Sequence, residues 1–118
     1  MVDARARRVL QTIALPRTGL APPRPMGIAI HDFLAFISNG RGGTVSVLDL
    51  RAQRVAQTIE KVGTRPWGIA VSSSGRTLYT ANGPSNDVSV VDVGSGRVVK
   101  RIPAGDGPWG LALQPRSP

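Results

Sequence analysis

The chain has no cysteine, which excludes disulfides and thiolate metal sites and leaves the redox compartment open. It has one histidine, His31, too few for a histidine-rich metal centre. No apolar run approaches the roughly 20 residues of a membrane-spanning helix, so no span is expected. The basic residues within 1–16 are not followed by a continuous apolar stretch, so no signal peptide is expected. No segment sustains a 3.6-residue apolar period, so essentially no helix is expected either. Acidic residues are scarce: 7 Asp and Glu stand against 15 Lys and Arg, a net charge of +8. Such an excess can mark a nucleic-acid or anionic partner. Here 13 of the 15 are arginines scattered along the chain, dense only over residues 5–8. That reads as solvated surface, and a nucleic-acid partner is not expected.

What is present is repetition. PMGIAI at residues 25–30, PWGIAV at 66–71 and PWGLAL at 108–113 start 41 and 42 residues apart. TVSVLDL at 44–50 matches DVSVVDV at 87–93, and RVAQTI at 54–59 matches RVVKRI at 97–102, both at a spacing of 43. An earlier copy of the last run, RVLQTI, occupies 8–13, with Val2-Asp3 standing where Val91-Asp92 stands. Each unit holds four short apolar runs separated by Gly, Ser, Pro and Asn, the pattern of four antiparallel strands joined by turns. A period of 40–45 residues with four strands per unit is the signature of β-propeller blades. At 41% apolar residues over 118 positions, the chain has enough material for one globular core.

Taken in order, residues 1–13 read as the end of one strand and the whole of another, left from a preceding blade. Residues 14–25 read as a proline-rich connector that fixes an extended path. A first blade is expected over 26–59, with strands at 27–30, 33–38, 44–50 and 54–59. A second is expected over 67–102, with strands at 68–71, 77–81, 87–93 and 97–102. Residues 108–113 would open a third. The runs Val-Ser-Val-Leu-Asp-Leu and Val-Ser-Val-Val-Asp-Val are apolar on both faces, relieved only by small Ser. Sheets covered on both sides, as stacked blades are, need no clean alternation.

These segments resemble the YVTN family of β-propeller repeats: PWGIAVSSSGRTLYTANGPSNDVSVVDVGSGRVVKRI and PMGIAI…LAFISNGRGGTVSVLDLRAQRVAQTI match its units over most of residues 1–113. They depart at Ile37-Ser38-Asn39 and Thr80-Ala81-Asn82, where Val-Thr-Asn is usual, and at the shorter hairpin around His31-Asp32. The resemblance implies an all-β propeller and a periplasmic or cell-surface setting, although the compartment itself is not readable. Similar repeats occur in quinoprotein dehydrogenase subunits and lactonase propellers. A ring takes about four to eight blades, so about two and a half blades leave apolar flanks bare. A fragment of a longer product, or a chain that associates with a protein partner or with copies of itself, is expected in preference to a free-standing monomer.

The residues that could carry chemistry read mostly as structure. Asp3, Asp49 and Asp92 end equivalent strands, one per blade, and each is placed to accept hydrogen bonds from the following turn. His31 lacks a nucleophile and an orienting partner, and reads as a surface turn residue. Gly105–Gly110 matches Gly-x-Gly-x-x-Gly, but it precedes a strand and carries Pro108, so it reads as the connector between blades. Asn39-Gly40 and Asn82-Gly83 fit turns that need a positive φ. Trp67 and Trp109, with Met26 equivalent, begin the innermost strands. Arg24 and Arg65 stand beside them, and together the five could rim a central channel suited to an anion or an aromatic group. No catalytic residue, metal or cofactor is expected. The reading is a non-enzymatic binding scaffold, with a fragment of a propeller enzyme or electron-transfer subunit, or a cell-surface structural repeat, as alternatives.

Overall fold

In the computed structural model, which describes residues 2, 3, 5, 8, 9, 12–15 and 24–113, a short hairpin precedes two four-stranded antiparallel sheets. The hairpin pairs β1 (Val2–Asp3) with β2 (Arg8–Val9). The first sheet runs β3 (Gly27–His31), β4 (Leu34–Ser38), β5 (Val45–Asp49), β6 (Arg54–Ile59). The second runs β7 (Gly68–Val71), β8 (Thr77–Ala81), β9 (Asp87–Asp92), β10 (Arg97–Pro103). In each sheet the spatial order equals the chain order, so every neighbour is reached by a short turn. The fold is all-β, and the only helical pieces among the described residues are two single 3-10 turns, Gly40–Gly42 and Gly83–Ser85.

The turns follow from local chemistry. After β5, Asp49 Oδ1 accepts from the backbone N–H of Arg51 at 2.9 Å and of Ala52 at 3.0 Å. After β9, Asp92 Oδ2 accepts from Ser95 N–H at 3.1 Å. Each β4–β5-type connection opens with Asn and a left-handed glycine, Gly40 at φ 51° and Gly83 at φ 50°, where a side chain would be strained. Within each Asn-Gly pair the positive φ therefore falls on the glycine, since Asn39 and Asn82 sit at φ −104° and −100°.

The core lies between the sheets. Alternation sends Phe36 and Val47, paired across β4 and β5, to one face, and Ala35, Ile37 and Leu48 to the other. Phe36, Val45, Val47 and Ile59 form one buried cluster with Val62 and with Leu78 and Val91 of the second sheet. Ile69, Val71, Val93 and Val98 pack against it. Each fully buried aliphatic or aromatic side chain contributes about 1.5–3 kcal/mol, and in this cluster each sheet obtains that from the other. Sheets with the β3 and β7 strands in contact and like faces meeting unlike ones are propeller blades, an incomplete ring within this one chain.

Three expectations need correction or placing. The run expected to continue to Ile13 is a strand only over Arg8–Val9, and residues 12–15 are not strand; residues 10 and 11 lie outside the described set. Residues 108–113 form no strand: no described segment pairs with them in a ladder. His31 is the last residue of β3 and half-buried, so it is not the exposed turn residue the sequence implied. Its imidazole packs against Gly75 of the next blade.

Candidate functional site

The inner strands approach one another backbone to backbone, and glycine makes this feasible. A Cβ on Gly27 would lie 2.7 Å from the Trp67 carbonyl oxygen and 3.3 Å from Ile69 Cγ2. Gly68 meets the Trp109 carbonyl in the same way. Across the same junctions Gly40 N–H donates to the Pro66 carbonyl at 3.1 Å, and Gly83 N–H to the Pro108 carbonyl at 2.9 Å. The Pro-x-Gly motif is thus a joint between successive blades. It carries its middle residue, Met26, Trp67 or Trp109, to the axial end of each blade.

That placement builds a pocket of about 290 Å³ lined by Met26, Gly27, Trp67, Gly68 and Trp109. Trp67 lies over the glycine of its own blade's 3-10 turn, Gly83, whose Cβ would stand 3.0 Å from the ring. Trp109 meets Trp67 edge to face, with centroids 5.2 Å apart and planes at 85°, a geometry aromatic pairs favour. Trp109 is 72% exposed and Met26 57%, so the lining is both apolar and open. Of the five rim residues named from the sequence, the structure brings Met26, Trp67 and Trp109 together. Arg24 and Arg65 are outside the lining.

Behind the pocket, each blade holds a buried amide that sequence reasoning read only as a turn residue. Asn82 Nδ2 donates to Asp87 Oδ1 and Ser89 Oγ, both at 2.8 Å, and its Oδ1 accepts from Thr80 Oγ1 at 2.8 Å. Asn39 Nδ2 donates to Thr44 Oγ1 at 3.0 Å and Ser46 Oγ at 2.9 Å. The missed signal was the recurrence of Asn with a Ser seven residues on. Arg101 was likewise read as scattered charge. It donates to the Val62 carbonyl at 2.8 Å, the Lys61 carbonyl at 2.9 Å and Ser89 Oγ at 3.0 Å, tying the connector between blades to β10. Its equivalent in the first blade is Thr58, so no repeat could announce it.

The remaining candidates resolve into local roles. Asp49 and Asp92 have acidities raised above that of an ordinary aspartate. The Ala52 N–H is the largest cause at Asp49, and hydrogen bonding from Ser95, first through its side chain, at Asp92; both serve their turns. His31 Nε2 lies 3.3 Å from Asp32 Oδ2. Gly105–Gly110 leads into no helix: Gly107 N–H donates to Asn86 Oδ1 at 3.0 Å, which holds the loop against the second 3-10 turn. Among the described residues no group of three or more His, Cys, Asp or Glu is placed to hold a metal ion, and no helix is long and apolar enough to cross a membrane.

The fold and this axial site define the class: a run of β-propeller blades. Solved structures agree. The chain is similar to Kuenenia stuttgartiensis hydrazine synthase, at 32% identity and a TM-score of 0.73 over 85% of its own length. It is similar in fold to the β-propeller domain of Myceliophteria thermophila Cps50 (Swd1), at 17% identity and a TM-score of 0.66 over 77% of its length. It spans 29% and 28% of those chains, less than a third of either. No family model matches the sequence, and no curated protein matches it.

Proposed function

We propose that the chain is a non-enzymatic binding module built of YVTN-type repeats, engaging a flat apolar or aromatic group of a partner protein at the axial pocket. In this reading residues 1–118 are one partial propeller domain. Residues 1–13 close a preceding blade, 26–59 and 67–102 are full blades, and 108–113 begin the next. The observation that carries the reading is the pocket itself, because the same position of three successive repeats supplies Met26, Trp67 and Trp109 to one open apolar concavity. Binding sites are typically concave and mostly apolar with a few polar groups near the mouth. Arg24 and Arg65, each two residues before a lining side chain, are proposed to supply charge at the approach to an anionic substituent.

The test uses 1-anilinonaphthalene-8-sulfonate, which is both aromatic and anionic, titrated against intrinsic tryptophan fluorescence. The reading expects one saturable site, weakened at least tenfold by Trp109→Ala and two- to fivefold by Arg65→Ala. Binding unchanged by Trp109→Ala contradicts it. The 32% identity to hydrazine synthase favours a second reading, in which this chain is part of a propeller belonging to a larger enzyme. Immunodetection of a natural polypeptide several times the length of this chain would support that reading over a free-standing module.

A further inference from the structure

The two blades bury one face each against the other, and among the described residues the opposite face of each is covered only in part, with the bare strands at different places. On the first blade, Ile13 and Leu15 gather with Ile37 of β4 and Leu48 of β5, so the middle strands have cover. The innermost strand does not: Ile28 is 60% exposed and Ile30 59%. Their counterparts Ile69 and Val71 pack against the core between the blades. On the second blade the situation is reversed. The Trp109 backbone lies against Gly68 at the start of β7, giving the innermost strand cover. The outermost strand is open, with Ile102 42% exposed where its counterpart Ile59 is buried. Among the described residues, one flank lacks an inner strand beside it and the other lacks outer strands beside it.

The glycine joints indicate what fits. Gly27 receives the Trp67 carbonyl, Gly68 receives the Trp109 carbonyl, and Gly110 has nothing described within 4 Å of where its Cβ would stand. The next residue of that series is Met26, the equivalent of Trp67 and Trp109, and it lies on the bare inner strand of the opposite flank. We infer that this chain associates head to tail with a second copy of itself, residues 108–113 of one copy packing along β3 of the next so that Gly110 receives the next copy's Met26 carbonyl.

The contact continues the interface already formed between the two blades, using the same positions and the same hand. Unlike flanks meet, so the interface is heterologous, and a constant rotation between copies closes a ring when it divides the circle. The contact also sets the second copy's Met26 beside the first copy's Trp109, which completes around the axis the row of side chains lining the pocket. Burial of Ile28 and Ile30, 60% and 59% exposed in the single chain, drives the association.

The association rests on the flanks and stands or falls apart from ligand binding in the pocket. Its test is light scattering on the full chain over a hundredfold concentration range, alongside the Gly110→Val variant. Valine suits an extended strand and meets nothing among the described residues of the single chain, so its circular dichroism and unfolding midpoint at low concentration should match the parent. The parent should form a discrete multimer, and Gly110→Val should lower its association constant at least tenfold. Because Gly27 and Ile69 approach so closely within one chain, Gly110→Cys and Ile28→Cys chains mixed in air should cross-link to each other and not to themselves. A parent that stays monomeric throughout the range overturns the inference. So does a multimer indifferent to Gly110→Val, or cross-linking of Ile28→Cys chains to one another, which would indicate pairing of like flanks or of free β10 edges.

Discussion

Thr80 Oγ1 donates to the Oδ1 of buried Asn82 at 2.8 Å, whereas Ile37 holds the equivalent place before Asn39, whose Oδ1 has no partner among the described residues. The two blades thus share a buried amide but not its full complement of bonds. Removing one partner of a buried hydrogen bond leaves the other desolvated and unsatisfied, at about 1–3 kcal/mol. Thr80→Val should therefore lower stability by about that amount, read from the midpoint of urea unfolding at constant slope. A change within about 0.3 kcal/mol would show that the Asn82 bonding does not stabilise its blade.

Most of the architecture could be read from the sequence, and the reason is the repeat. Each strand signal was seen twice, so Arg54–Ile59 and Gly68–Val71 were placed to the residue. The apolar runs with interposed Ser implied sheets covered on both faces; within this chain each sheet covers one face on its neighbour, and Ser46 and Ser89 are buried. What repetition could not show lay in positions that differ between copies. Arg101 faces Thr58 in the comparison, and Thr80 faces Ile37, so neither could be recognised as a bonding group by its recurrence. The axial residues were half legible. Met26, Trp67 and Trp109 share a motif position and line one pocket, but Arg24 and Arg65, two residues earlier, are outside that lining, which spacing alone does not specify.

Arg101 spans two carbonyls of the connector and Ser89, so it acts as a clasp between β10 and residues 61–62. Hydrogen bonds from a charged donor contribute about 1.5–3 kcal/mol, discounted here for the exposure of the guanidinium. Arg101→Ala should destabilise by about 1–2 kcal/mol on that basis. It should also speed amide hydrogen exchange in residues 60–66 more than in β4 or β5. Uniform acceleration across both blades would contradict a local clasp.

The acidity of Asp49 and Asp92 makes stability pH-dependent in one direction. Both are more acidic folded than an ordinary aspartate near pH 4. The unfolded chain therefore binds more protons in that range, and the stabilisation is present above it and lost as the pH falls through the folded values. Thermal midpoints should fall as the pH drops below about 4, and the Asp49→Asn, Asp92→Asn double variant should show a shallower fall. An equally steep fall in the variant would place the acid sensitivity elsewhere.

The central claim is that successive repeats lie flank to flank through their Pro-x-Gly joints. Nuclear Overhauser contacts between the Gly27 α-protons and the Ile69 γ-methyl test it most directly, since a Cβ at Gly27 would stand 3.3 Å from that methyl. The account predicts a strong cross-peak, with a matching contact between Gly68 and the Gly110 α-protons. Gly27 and Ile69 with no detectable cross-peak, in a chain whose strand pairings within each sheet remain intact, would contradict it.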